Sequence, residues 1–212
     1  MDAWDRAWLV MLAWFAIAMA VFSIAREWSI VEFGVGFGLL FGSIAWAIRK
    51  SVRPAFKKLH LDNLAGFSLL AVLVSSGEEI FCWALGNRKA NPVIWKDLVL
   101  VNGIWLVWFA TWYFRLSKRY LFKEKEALML GAMIGVIYEY ISSGAFLVNP
   151  AGILLGLPLA VVVYAAIFML PMQLLDFTGK SDSRLKYVEA PILPYILSFA
   201  AAIPLIIILS AV

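Results

Sequence analysis

The sequence predicts an all-α, polytopic transmembrane bundle of about seven helices in one domain covering residues 1–212, and three observations carry that prediction. Hydrophobic residues make up 64% of the chain and charged residues 15%, where a soluble domain has roughly a quarter charged. The mean hydropathy is +0.89, so the solvent for most side chains is lipid. A spanning helix takes about 20 apolar residues, and 212 residues with short connections hold about seven such spans and no soluble domain.

The apolar runs fall at 7–25, 30–48, 64–86, 97–115, 127–147, 151–175 and 190–211, each bounded by charged or turn residues. The first run is long enough to span. The residues before it, Met1-Asp2-Ala3-Trp4-Asp5-Arg6, lack the basic region of a cleaved leader, so a retained first helix is expected. The second run carries Gly34, Gly38 and Gly42 and the fifth Gly131 and Gly135; this spacing lets backbones approach where lipid gives no hydrophobic drive to association. Trp28, Trp46, Trp83, Trp95 and Trp112 stand near predicted helix ends, as interfacial anchors do. Trp14, Trp105 and Trp108 lie deeper and are expected to pack between helices. Pro158 and Pro171 are expected to bend the sixth helix.

Basic residues set an orientation. Arg49, Lys50, Arg53, Lys57 and Lys58 follow the second run. Arg115, Lys118, Arg119, Lys123 and Lys125 follow the fourth, and Lys180, Arg184 and Lys186 follow the sixth. The opposite connections carry Arg26, then Arg88, Lys89 and Lys96, then none in 141–150. Positive-inside bias therefore predicts a cytoplasmic amino terminus and an external carboxy terminus. The net charge of +4 comes from these helix-flanking residues. It points to anionic membrane lipids as partners and gives no support to nucleic acid.

The residues expected to carry chemistry are glutamates inside apolar runs. An ionised carboxylate in hydrocarbon is costly unless it is paired, hydrated or protonated. Ser75-Ser76-Gly77-Glu78-Glu79-Ile80-Phe81-Cys82-Trp83 is the strongest local signal. Adjacent helical positions point about 100° apart, so Glu78 and Glu79 diverge; Glu79 is expected to face the bundle and Glu78 to find a polar partner. The alternative is that the pair forms an ordinary helix end in headgroup water, with Arg88 snorkelling toward it. Glu139, between Tyr138 and Tyr140 and ahead of Ser142 and Ser143, is the second candidate. A carboxyl in such surroundings is expected to hold a proton near neutral pH and to be able to donate it. Asn102, Asn149, Tyr164 and Gln173 are candidate hydrogen-bond partners, or else glue between helices.

The third and fourth runs line up with the fifth and sixth. Glu79 falls on Glu139, and Asn91-Pro92 falls near Asn149-Pro150, which suggests tandem hairpins of one orientation, with Glu27 and Glu32 in a more diverged first copy. The single Cys82 excludes an internal disulfide, and the lone His60 lies in a basic loop, so neither a metal nor another cofactor is expected.

The stretch from Gly77 to Trp83 resembles two membrane families. In glutamate-type intramembrane proteases the paired glutamates are followed by a basic residue, and later helices supply histidines. Here Trp83 takes the arginine's place and no predicted span contains histidine, so the water-activating partner is missing. The membrane lycopene cyclases and carotenoid hydratases are similar in their tandem helices and in an acidic motif followed by aromatics, here Glu78-Glu79-Ile80-Phe81. The run from Asn149 to Leu159, with Gly152, Gly156 and Pro158, resembles the helix start that follows the hydratase glutamate. That resemblance, over the third to sixth helices, implies protonation of an isoprenoid double bond by a neutral carboxylic acid, with aromatic faces stabilising the cation. Glu79 and Glu139 would be acid and base, with Glu78 beside them and Tyr138, Tyr140, Asn102, Asn149 and Tyr164 against the substrate. The competing readings are a small proton- or ion-coupled transporter or channel, and a degenerate protease or a membrane-complex subunit with a homo-oligomeric or other protein partner.

Overall fold

The computed structural model describes residues 2–86 and 91–211. Among these residues eight helices occur in order: α1 (Ala3–Ile24), α2 (Trp28–Lys58), α3 (Leu64–Ala84), α4 (Ile94–Arg119), α5 (124–142), the short α6 (Ala145–Val148), α7 (Pro150–Met172) and α8 (Lys186–Ala211). The only extended pairing among the described residues is an isolated bridge between Tyr120 and Ser181. Asp2 caps α1 by accepting from the Asp5 amide, Asn63 caps α3, and Asn149 caps α7 ahead of Pro150.

Six of these helices are long and apolar enough to cross a membrane. The seventh expected span, 127–147, falls on α5 (124–142), which is not among the six because it carries Glu124, Lys125, Glu126 and Glu139. It tolerates them because it is an interior helix: Ala127–Ala132 are buried without interruption, and α7 and α8 pack against it. A helix shielded by protein need not be apolar to lipid. The second helix runs ten residues past its expected end at 48. Its Arg49–Lys58 extension buries Val52 and ties Arg53 to Asp176 at 2.7 Å.

The bundle is organised around α7, which α1, α2, α3 and α5 all contact. The glycine rows do what their spacing predicts. A Cβ on Gly38 would sit 3.3 Å from Val162 and Val163, and one on Gly42 would sit 3.3 Å from Ala166. A Cβ at Gly131 would strike the Phe168 ring. Trp108 and Trp112 are completely buried. Trp108 stacks on Phe109 at 4.6 Å, and Trp112 meets Phe168 at 4.9 Å. Trp112 is therefore a core residue and not the interfacial anchor that its place near a helix end suggests; the helix continues through a wider turn at Trp112–Leu116 to Arg119, which carries the ring inward. Trp28 and Trp95 are exposed, as anchors are.

The end of the bundle with the basic clusters is laced by ion pairs. Arg49 meets Glu124 at 2.9 Å, Arg115 and Arg119 both meet Glu189, and Lys125 pairs with Asp5. Lys186 and Glu126 form a buried pair at 2.8 Å. Asp182 outside the membrane also binds Lys186, and that ammonium holds its carboxyl below the usual range.

Candidate active site

At the opposite end, α1, α2, α3, α5 and α7 enclose a cavity of about 370 Å³. Its polar lining is Glu78, Cys82, Glu139, Tyr140 and Tyr164, with Ser29 at the rim; Phe22, Ile30, Phe33, Leu159 and Val163 make the apolar walls. Glu78 lies six residues before the end of α3, about 9 Å along the axis, so the cavity reaches from that helix end well into the span.

The local fold of α5 aims the second carboxylate. At Ile137–Ser142 the helix widens into i→i+5 turns. Such a bulge inserts a residue and rotates the rest of the helix, and it is frequent at functional sites. Glu139 and Tyr140 thereby both line the cavity, while Tyr138 points to the other side, edge-on to Trp105 at 5.2 Å and to Tyr195 at 5.3 Å. Gly144 ends the segment with φ +69, a left-handed conformation that only glycine adopts without strain. Tyr164 reaches in from the centre of α7, and its hydroxyl donates to Glu139 Oε1 at 3.1 Å. The Tyr164 ring also stands edge-on to Trp105 at 5.2 Å. A Cβ at Gly135 would overlap the Tyr164 ring, and one at Gly156 would overlap Tyr140, so both tyrosines occupy space that glycines on neighbouring helices leave open.

The expected facing of the paired glutamates is reversed. Glu78 is buried and lines the cavity with Glu139, whereas Glu79 is half-buried and turns toward α4, where it approaches Asp97. The 100° offset between neighbours holds, but α3 is rotated by its contacts with α4. Ser75 donates to Asn102 Oδ1 at 2.6 Å and Asn102 donates to Ser76 at 2.9 Å. This clamp occupies Asn102, which therefore ties α3 to α4 and is not among the cavity-lining residues. Asn149 caps α7, accepting from the Gly152 amide at 3.0 Å, and Gln173 sits at the basic end near Glu124; neither reaches the glutamates. Arg88 lies outside the described residues.

Sequence reasoning missed Asp97. It stands in the first turn of α4, where an acidic residue is ordinary, yet it is completely buried. Glu78 and Glu79 each lie within electrostatic reach of both Asp97 and Glu139. Among the described residues no three His, Cys, Asp or Glu side chains converge as a metal site requires.

Fold and site together define an apolar, all-α, multi-pass bundle with acidic groups gathered in one half of its interior. No family model, curated protein or solved structure matches the chain, and its function therefore rests on the chemistry of the site itself.

Proposed function

We propose that the chain is a cofactor-independent membrane enzyme that takes an isoprenoid or other lipophilic substrate into this cavity and acts on it by acid–base chemistry, as a cyclase or hydratase does. The observation that carries the reading is the convergence of Glu78 and Glu139, from separate helices, on one cavity whose remaining walls are mostly apolar and aromatic. Protonating an alkene needs a carboxylic acid in a dry site, and a second carboxylate completes the reaction by taking a proton from the cation or from added water. Tyr164 fixes one oxygen of Glu139, which suits the base; Glu78, buried where Glu139 is half-buried, suits the acid. Phe22, Phe33, Tyr140 and Tyr164 line the cavity, and aromatic rings stabilise a developing cation. This pairing replaces Glu79 by Glu78 in the acid role. The orientation that goes with it puts the ion-paired basic end in the cytoplasm and the cavity in the outer half of the membrane.

The test is gentle purification and mass spectrometry of bound lipid, together with turnover of that lipid by wild type, Glu78→Gln and Glu139→Gln. A bound polyene or prenyl lipid converted by the wild type alone supports the proposal. An empty protein that carries protons or ions across liposomes supports the transporter instead.

A further inference from the structure

Asp97 and Glu79 stand outside the cavity and have no part in the chemistry proposed for it. Asp97 is completely buried, and among the described residues neither of its carboxylate oxygens has a hydrogen-bond donor in place. The side chain that approaches it is another carboxyl group, Glu79. Helix register brings the two together. The Asn102 clamp pairs Ser75 and Ser76 with Asn102 across antiparallel α3 and α4; a turn or so further toward the outer end, Glu79 and Asp97 come to the same level of the two helices. Two carboxylates meeting in a low-dielectric interior repel, and as acceptors alone they cannot bond to each other. A cation or a proton must lie between them. No third ligand converges there among the described residues, and a proton requires none.

We propose that Glu79 and Asp97 form a carboxyl–carboxylate pair holding one proton in common, and that this pair reloads Glu78 after each turnover. The inference rests on the acid–base reading of the cavity. The proton balance is simple: Glu78 gives its proton to substrate carbon and Glu139 takes one from the cation or from water. The pair then passes its proton to Glu78, while Glu139 releases its own to the medium. Glu79, the half-exposed member, takes the replacement from water at the membrane surface, and buried Asp97 keeps it near Glu78. The groups facing the pair are Glu78 and Glu139. Lys96, next to Asp97 in the chain, is turned away to the Leu209 carbonyl at 3.0 Å. Glu79 and Asp97 are positioning residues in this scheme and do not touch substrate.

Infrared difference spectroscopy of the purified full chain in lipid nanodiscs tests this without any substrate. The wild type should show a protonated-carboxyl C=O band at neutral pH that shifts in D2O. One component of it should vanish in both Glu79→Gln and Asp97→Asn, because each amide supplies the donor its partner lacked. The same component should persist in Glu78→Gln and in the reciprocal exchange of Glu79→Asp with Asp97→Glu. A wild type with no such band overturns the proposal, as does a band unchanged by both single variants. In turnover, Glu79→Gln should lower kcat and leave KM unchanged. If the band behaves as stated but Glu78→Gln and Glu139→Gln still turn over substrate, the acid–base assignment of the cavity and the reloading of Glu78 fail, and the shared proton stands.

Discussion

Replacing Lys186 by Met should be among the most destabilising single changes in the protein. The Lys186 ammonium sits 2.8 Å from Glu126, 2.7 Å from Asp182 and 3.0 Å from the Leu121 carbonyl. The Lys186 and Glu126 side chains are 5% and 4% exposed. Asp182, at 74% exposed, regains water when its partner goes and adds little. Glu126 cannot, and stranding one partner of a buried pair costs about 3–5 kcal/mol. It retains the Lys123 amide at 3.1 Å and the Tyr187 hydroxyl as donors, which places the expected loss at the lower end, about 3 kcal/mol. Adding Glu126→Met removes the orphaned charge, so the double variant should recover most of that loss, short of about 1 kcal/mol for the Lys123 amide. The assay is unfolding of the purified protein in mixed micelles, monitored by circular dichroism. A Lys186→Met variant within about 0.5 kcal/mol of wild type, or a double variant no better than the single, refutes the reasoning.

Gly135→Ala should cost about 1–3 kcal/mol by overpacking and should push the Tyr164 ring that holds Glu139, so activity should fall more than in an equally destabilised variant remote from the cavity; paired stability and turnover measurements check this. Tyr164→Phe removes only the hydroxyl. It should lower turnover while leaving the melting temperature within a few degrees of wild type, and equal turnover would remove Tyr164 from the mechanism. Asn102→Ala breaks the clamp between α3 and α4, and at about 0.6–2 kcal/mol for interhelical polar bonds in membranes it should be milder than the Lys186 change in the same unfolding assay. Acid should loosen the connection between α7 and α8. The Asp182 carboxyl is held below its ordinary value by Lys186, so its stabilising contribution is present above the ordinary carboxylate range and is lost as pH falls through the lowered value. Protection factors of the amides at 181–186, corrected for the pH dependence of intrinsic exchange, should fall over that interval, and Asp182→Asn should remove that fall.

The helices were legible because lipid imposes a length and a composition on them; the apolar runs locate every long helix within a few residues except the end of α2. That end was hidden because its basic residues look like a loop until Asp176, more than a hundred residues away in the chain, supplies the partner for Arg53. Glu139, Tyr140 and Tyr164 could be singled out as polar groups in apolar surroundings, and they do share a cavity. The facing of Glu78 and Glu79 could not be read, since it depends on the rotation of α3 about its axis, which interhelical contacts such as the Asn102 clamp fix. Tyr138 and Tyr140 are two positions apart, about 200° around a helix, so only one of them can share the cavity with Glu139, and packing against Trp105 and Tyr195 takes Tyr138. Asp97 looks ordinary in sequence because the helix dipole favours an acidic residue in the first turn; its burial arises in the bundle, where α3 and α8 both pack on α4.

The most direct test of the acid–base account is carbon deuteration. The purified protein is incubated in D2O with a linear polyene or prenyl lipid, and the recovered lipid is analysed by mass spectrometry for deuterium that survives exchange back into H2O. Transfer of a proton from Glu78 to an alkene carbon predicts stable carbon-bound deuterium with the wild type and none with Glu78→Gln or Glu139→Gln. Deuterium incorporation unchanged in both variants, or no incorporation by a wild-type protein that binds the lipid, would contradict it.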